Sequence, residues 1–412
     1  MSSNDPLPNH PSSMEPLLPS KGLEPLKEMA AELARKASIL EGRLHPYVKD
    51  SLKDLLRAMN SYYTNLIEGQ GTHPLAIDAA LKKKFETNQK EKNLQLLAVA
   101  HIEVQKKAEE KLKQINKSDL FDIHFLSWLH KEFYSQLPEE FRKVQNEEKS
   151  KSLILTPGEV RKSDVVVGKH LPPSFKSLSI FLKRFHRFYS TTPMDPLLRI
   201  VATVAAHHRL AWIHPFLDGN GRVTRLFTDC CFYKDDIGGF GLWTISRGLA
   251  RHRTKYYEFL DRADHSREGT YDGRGALSDQ ALVEFCTYFL ETAIDQVDFM
   301  SDMLQLDHIE RRLESFISIM FDFKALKKED FYLLRDLFLR GEIPRGEASR
   351  ILNMPERTAR NEVTRLVKMD IIGSKTEKSD LRLKFNPIFA SHLFPNLYPS
   401  NLNFELRDLI KK

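Results

Sequence analysis

The reading of this chain turns on residues 214–225, His214-Pro215-Phe216-Leu217-Asp218-Gly219-Asn220-Gly221-Arg222-Val223-Thr224-Arg225. Upstream, Asp195 is suited to cap a helix and Pro196 to be its first residue, and an apolar-periodic run follows from Leu197 to Ile213. Pro215 lacks an N–H and disfavours helical geometry at His214, so that helix should stop there and leave the imidazole at its exit. A second helix is expected from about Gly221, with Gly219, Asn220 and Gly221 forming the turn into it. Glycines in such a turn let a ligand approach bare backbone. The orphan N–H groups and positive dipole end of the helix attract an anion, and Arg222 and Arg225 project from one face. Asp218 offers a hard oxygen that suits Mg²⁺ bridging phosphates. His214 has the pKa range of a general base. Taken singly, these are a capped loop histidine, a turn former and two solvated arginines. No packing role calls for the whole set in this order.

The stretch resembles the Fic (fido) family motif His-Pro-Phe-x-Asp/Glu-Gly-Asn-Gly-Arg-x-x-Arg at every defined position. The resemblance implies transfer of AMP from ATP to a protein hydroxyl on Ser, Thr or Tyr, the protein itself included. On that basis His214 would deprotonate the target and Asp218 would hold Mg²⁺. Gly219, Asn220 and Gly221 would cradle the phosphates, with Arg222 and Arg225 neutralising the outer ones. The kinase-like Doc branch carries Lys where this chain has Gly221, which favours nucleotidyl over phosphoryl transfer. His214 could also protonate a leaving hydroxyl, so removal of AMP is a second implied activity.

Further residues join through the same resemblance. Thr64-Asn65-Leu66-Ile67-Glu68-Gly69 looks by itself like a helix terminus with a surface carboxylate and a Gly C-cap. In Fic proteins such a pattern is similar to the inhibitory helix, so Glu68 would pair with Arg225. Leu153 to Thr156 and Arg161 to Gly168, around a Pro157-Gly158 turn, suggest a β-hairpin. In the family it would be a target-docking flap that holds a segment by strand addition, with Val165, Val166, Val167 and Gly168 lining the nucleotide. Tyr256 and Tyr257 resemble paired tyrosines beside the nucleotide. Asp264 stands where many members have Asn, which weakens its implied contact to base or ribose.

Composition bounds the rest. The 412 residues suggest two or three domains, and 41% hydrophobic content suffices for real cores. No run of about 18 uncharged apolar residues and no basic-then-apolar leader is present, so the expectation is a cytoplasmic protein without membrane contact. Three cysteines, Cys230, Cys231 and Cys286, cannot frame disulfides or a four-ligand zinc site, and are expected as core fillers. A net charge of +6 is a mild basic bias that demands neither nucleic acid nor an acidic partner.

The fold expected is mainly α: a Fic-type helical bundle with a β-hairpin flap, plus a C-terminal winged helix-turn-helix. Residues 1–25, with Pro6, Pro8, Pro11, Pro16, Pro19 and Pro25, are expected as a disordered arm. Residues 26–115 would form an N-terminal helical region with the inhibitory helix, and 116–306 the catalytic domain. Within the latter the charged stretch Glu139 to Lys151 is expected as a solvated excursion. Residues 307–324 would be a linker helix, 325–395 the winged helix and 396–412 a tail. In the winged helix three short helices precede a basic segment, Gly373 to Phe385, that alternates like a two-stranded wing. It could bind DNA through Thr358, Arg360 and Asn361, or serve homodimerisation or target docking. An alternative function is a DNA-binding regulator with a nucleotide-sensing core.

Overall fold

A computed structural model describes residues 8–145, 152–238, 240–376 and 379–410. Helices dominate. The first five are α1 (Leu23–Gly42), α2 (Pro46–Ile67), α3 (Pro74–Leu81), α4 (Gln89–Leu112) and α5 (Ile123–Tyr134). Strands β1 (Lys143–Gln145) and β2 (Ser152–Ile154) follow, then α6 (Leu178–Thr191), α7 (Pro196–Ile213) and α8 (Asn220–Lys234). Next come α9 (Ile245–Arg251), α10 (Arg253–Ala263), α11 (Asp279–Met303) and α12 (Leu306–Asp322). The C-terminal part holds α13 (Asp330–Arg340), α14 (Ala348–Ile351), α15 (Glu356–Lys368), β3 (Ile372–Gly373), β4 (Arg382–Leu383) and α16 (Pro387–Leu393).

The two site-forming helices begin and end where their caps dictate. Asp195 accepts from the N–H groups of Leu197 and Leu198, both at 3.0 Å, with Pro196 at the first helical position. α7 stops at Ile213 because His214 turns left-handed, φ 51°, ahead of Pro215. Gly219, φ 79°, then starts α8, a conformation that costs glycine nothing. Both helices are buried almost all round, so α7 and α8 form the floor of the core. Cys230, Cys231 and Cys286 are buried and unpaired there, as packing groups.

Several expectations need correction. The Pro-rich arm is, from Pro8 onward, laid against the bundle, with Met14 and Leu17 buried. Its irregular backbone finds partners there: Arg209 donates to the Pro16 carbonyl at 2.9 Å, and Leu277 N–H to that of Glu15 at 2.9 Å. Residues 1–7 of the arm lie outside the described residues.

The hairpin is also placed differently. β2 pairs upstream with β1, Leu153 opposite Val144, and not across the Pro157-Gly158 turn. The segment after that turn is claimed by the motif loop: Arg161 N–H donates to the Pro215 carbonyl at 2.9 Å. Val167 makes only an isolated bridge with His170. The excursion at Glu139–Arg142 is instead a short 3₁₀ turn leading into β1, and residues 146–151 lie outside the described set.

Lastly, α3, α9 and α16 are short helices absent from the sequence reading. Each carries a start signal: Pro74 after His73, Thr244 whose hydroxyl accepts from Ser246 N–H, and Pro387 after Asn386, whose side chain accepts from Ile388 and Phe389 N–H.

The three helices expected near the C-terminus are present as α13, α14 and α15, followed by the β3–β4 ladder, Ile372 opposite Leu383. Lys378 of the expected wing lies outside the described residues. This part packs on α2: the Arg382 guanidinium lies 3.9 Å from the Tyr47 ring centroid, and Tyr63 donates to the Leu397 carbonyl at 2.8 Å. In the stretch expected as a tail, Leu397 and Leu409 are buried.

Candidate active site

The site is the corner where α7 ends and α8 begins. Because a carbonyl can only accept, the 3.3 Å contact between His214 Nδ1 and the Ala211 carbonyl puts the ring proton on Nδ1 and leaves the Nε2 lone pair free. Burial, helped by His170, pushes His214 down to about 4, so the imidazole is neutral at pH 7. Arg161 fixes the corner from behind, donating to the His214 carbonyl at 2.9 Å and to the Ser163 carbonyl at 2.9 Å. Sequence reasoning missed Arg161, since a buried arginine in a loop looks like any surface arginine until the fold closes over it.

Asn220 is committed to the turn. Its Oδ1 accepts from Phe216 N–H at 2.9 Å and its Nδ2 donates to the Phe216 carbonyl at 2.8 Å, which holds the loop shut. The Asp218 carboxylate is exposed; it accepts from Gly219 N–H at 2.6 Å and from the Tyr134 hydroxyl at 2.9 Å. From α5, His130 stacks on Phe216 with centroids 4.1 Å apart, and its Nδ1 accepts from Gly158 N–H at 2.8 Å. Burial lowers His130 to about 4, so its Nε2 carries the proton and donates to the Asp218 carbonyl at 3.3 Å. His130 and Tyr134 are one turn apart on α5 and were not singled out in the sequence.

Arg222 and Arg225 are 4% and 2% exposed, and both are held by the C-terminal end of α2. Arg225 donates to Thr64 Oγ1 at 2.7 Å and to Glu68 Oε1 at 2.5 Å. Arg222 donates to Gln70 Oε1 at 2.6 Å and lies over the Phe133 ring. Burial alone would raise Glu68, but Arg225 and then Arg222 hold it below its ordinary value, so it is ionised. The carboxylate lies over the start of α8: a Cβ on Gly221 would fall 2.4 Å from Glu68 Oε1.

The other sequence candidates divide. Tyr257 is partly exposed and donates to the Ile67 carbonyl at 3.3 Å, beside Glu68. Tyr256 is core: its hydroxyl meets His207 Nε2 at 2.8 Å, and His207 Nδ1 meets Thr228 at 2.7 Å. Asp264 faces two histidines, His170 Nδ1 and His208 Nε2, each at 3.3 Å. Val166 and Val167 are exposed, Val165 is half-buried, and Gly168 has φ 59° with open space around it.

Residues 114–231, which contain this corner, match the model of the Fic/DOC family. The chain thus carries a Fic/DOC domain. The Protein adenylyltransferase Fic of Drosophila erecta is 35% identical over 107 residues, 26% of this chain and 20% of that protein. Its counterpart in Drosophila ananassae is 34% identical over 107 residues, with the same coverage. The chain therefore matches about a fifth of the length of these curated relatives. Among solved structures, a Fic family protein from Desulfovibrio desulfuricans G20 aligns with a TM-score of 0.49 at 16% identity, over 86% of this chain and 96% of that one. Fic-1 (residues 134–508) from C. elegans aligns with a TM-score of 0.49 at 16% identity, over 68% of this chain and 73% of that one. Among the described residues no helix is long and apolar enough to cross a membrane.

Proposed function

We propose that this protein transfers AMP from ATP to a Ser, Thr or Tyr hydroxyl of a protein, itself included, and that Glu68 keeps it silent at rest. The observation that carries the reading is the neutral His214, Nε2 free, beside a helix N-terminus backed by two buried arginines. His214 Nε2 takes the proton as the hydroxyl oxygen attacks the α-phosphorus, and pyrophosphate leaves. Arg222 and Arg225 neutralise the departing phosphates, while turn amides meet the charge growing on the α-phosphate oxygens. In the reverse direction pyrophosphate attacks the AMP phosphorus, ATP re-forms, and the protonated His214 returns its proton to the departing side-chain oxygen, so AMP removal is the reverse task of the same residue.

A divalent cation fits the donor set. Asp218 presents one exposed carboxylate at the mouth of the corner. That matches Mg²⁺, which is held by one or two carboxylates plus phosphates and keeps several waters. When bound, Mg²⁺ would neutralise phosphate charge.

Glu68 opposes all of this by occupying Arg225 and placing negative charge where the γ-phosphate belongs. The test is incubation with ATP-Mg²⁺ followed by intact-mass measurement. Wild type should stay nearly unmodified, whereas Glu68→Gly should gain the mass of AMP on itself or on an added target. If Glu68→Gly neither acquires the adduct nor releases pyrophosphate, the reading is wrong. The DNA-binding alternative has less support, because on α15 Arg360 pairs with Glu356 at 3.3 Å and Arg365 with Glu362. Salt-sensitive, sequence-selective DNA binding without turnover would favour it.

A further inference from the structure

α5 grips Asp218 at two points. The Tyr134 hydroxyl donates to Asp218 Oδ2 at 2.9 Å, and His130 Nε2 donates to the Asp218 carbonyl at 3.3 Å. Neither ring can drift. Tyr134 is 1% exposed and stands edge-on to Phe133, centroids 5.2 Å apart at 87°, and His130 is pinned between Phe216 and Gly158 N–H. Gly219 is the third part of this fit: a Cβ there would come within 2.7 Å of Tyr134 Cε2 and 2.9 Å of its hydroxyl. The ring therefore packs directly under the turn, with its one polar atom aimed at one oxygen of an otherwise exposed carboxylate.

An exposed aspartate ordinarily samples several rotamers, and ordering it costs entropy when it takes up a ligand. Groups that hydrogen-bond a ligating carboxylate remove that freedom and aim its remaining lone pairs. We propose that Tyr134 is a positioning residue for cation binding. It holds Oδ2 while the Gly219 N–H, at 2.6 Å, holds Oδ1, so the Asp218 carboxylate keeps one orientation and its remaining lone pairs would be open to a divalent cation. This rests on the reading of Asp218 as the carboxylate that holds the cation. His130 sets the height of the same residue through its backbone.

The test uses the full chain carrying Glu68→Gly, titrated with Mn²⁺ and a non-hydrolysable ATP analogue. Free Mn²⁺ is followed by electron paramagnetic resonance, with thermal denaturation recorded alongside. Tyr134→Phe keeps the ring and deletes only the hydroxyl, and should weaken Mn²⁺ binding about 10-fold. In an Asp218→Asn background the same substitution should have no further effect, because Tyr134 acts only through that carboxylate. Unchanged Mn²⁺ affinity in Tyr134→Phe, with Asp218→Asn weakened, overturns the positioning role. An equal loss in both backgrounds also overturns it, by showing general loosening. If Asp218→Asn binds Mn²⁺ as tightly as its parent, the reading of Asp218 itself falls.

Discussion

Two helices of this protein each carry a pair of arginines three residues apart near their N-termini: Arg222 and Arg225 on α8, Arg357 and Arg360 on α15. By spacing the pairs are alike. In space they are opposites. Arg222 and Arg225 are 4% and 2% exposed, and their partners Gln70 and Glu68 lie 152 and 157 residues away in sequence. Arg357 and Arg360 are exposed, and Arg360 is paired with Glu356, four residues before it on the same helix. A buried guanidinium must have partners or it would not be there, so α8 is a place where charge is gathered against its cost. An exposed i,i+4 pair is worth a few tenths of a kcal/mol, which solubility alone explains.

The contrast breaks most easily at His214, since the buried arginines matter for chemistry only if the adjoining base does. His214→Ala, in the Glu68→Gly background, should cut AMP transfer by a factor of about 100 to 10,000 while nucleotide binding persists. Label incorporation and calorimetry report these separately. Transfer at the rate of that background would reduce the α7–α8 corner to packing.

Next in size is Arg225→Ala, which strands an ionised Glu68 beside a cavity. The loss should be about 3 kcal/mol in denaturant unfolding. Arg360→Ala, the matched change on α15, should fall within about 0.5 kcal/mol of wild type. Equal losses would erase the distinction between the helices.

A third test uses Asp229, one turn beyond Arg225 and buried. Asn60 donates to it at 2.8 Å, yet burial raises it to about 7. A raised carboxyl contributes stability that is full below its unfolded value and is lost as pH rises through its folded value. The stability advantage of wild type over Asp229→Asn should therefore shrink from about pH 4 to about pH 7, by at most about 1.4 kcal/mol per unit, and stay flat above. A difference independent of pH would mean that Asp229 is ionised throughout. A comparably small effect is expected for Lys384→Ala, just beyond β4, whose partly exposed pair with Asp370 at 3.2 Å should be worth about 0.5 kcal/mol in the same unfolding measurement.

What the amino-acid order determined by itself is mainly local. Asp195-Pro196 started α7, Pro215 ended it, and Gly219 opened α8, because capping, ring closure and left-handed φ are properties of one or two residues. The partner of Arg225 was legible too, though only through resemblance to a family motif, since no local rule connects residue 68 with residue 225. Tertiary structure alone decided the rest. It gave β2 to β1 instead of to the segment after Gly158, because Arg161 N–H had the Pro215 carbonyl to bond. It laid the proline-rich segment against Arg209 and buried Met14. It sent the hydroxyl of Tyr256 to His207, leaving Tyr257 beside Glu68. It also brought His130 and Tyr134 under Asp218. Each of these outcomes depends on which of several distant donors reaches an acceptor once the chain is closed, and helical periodicity carries no record of that competition.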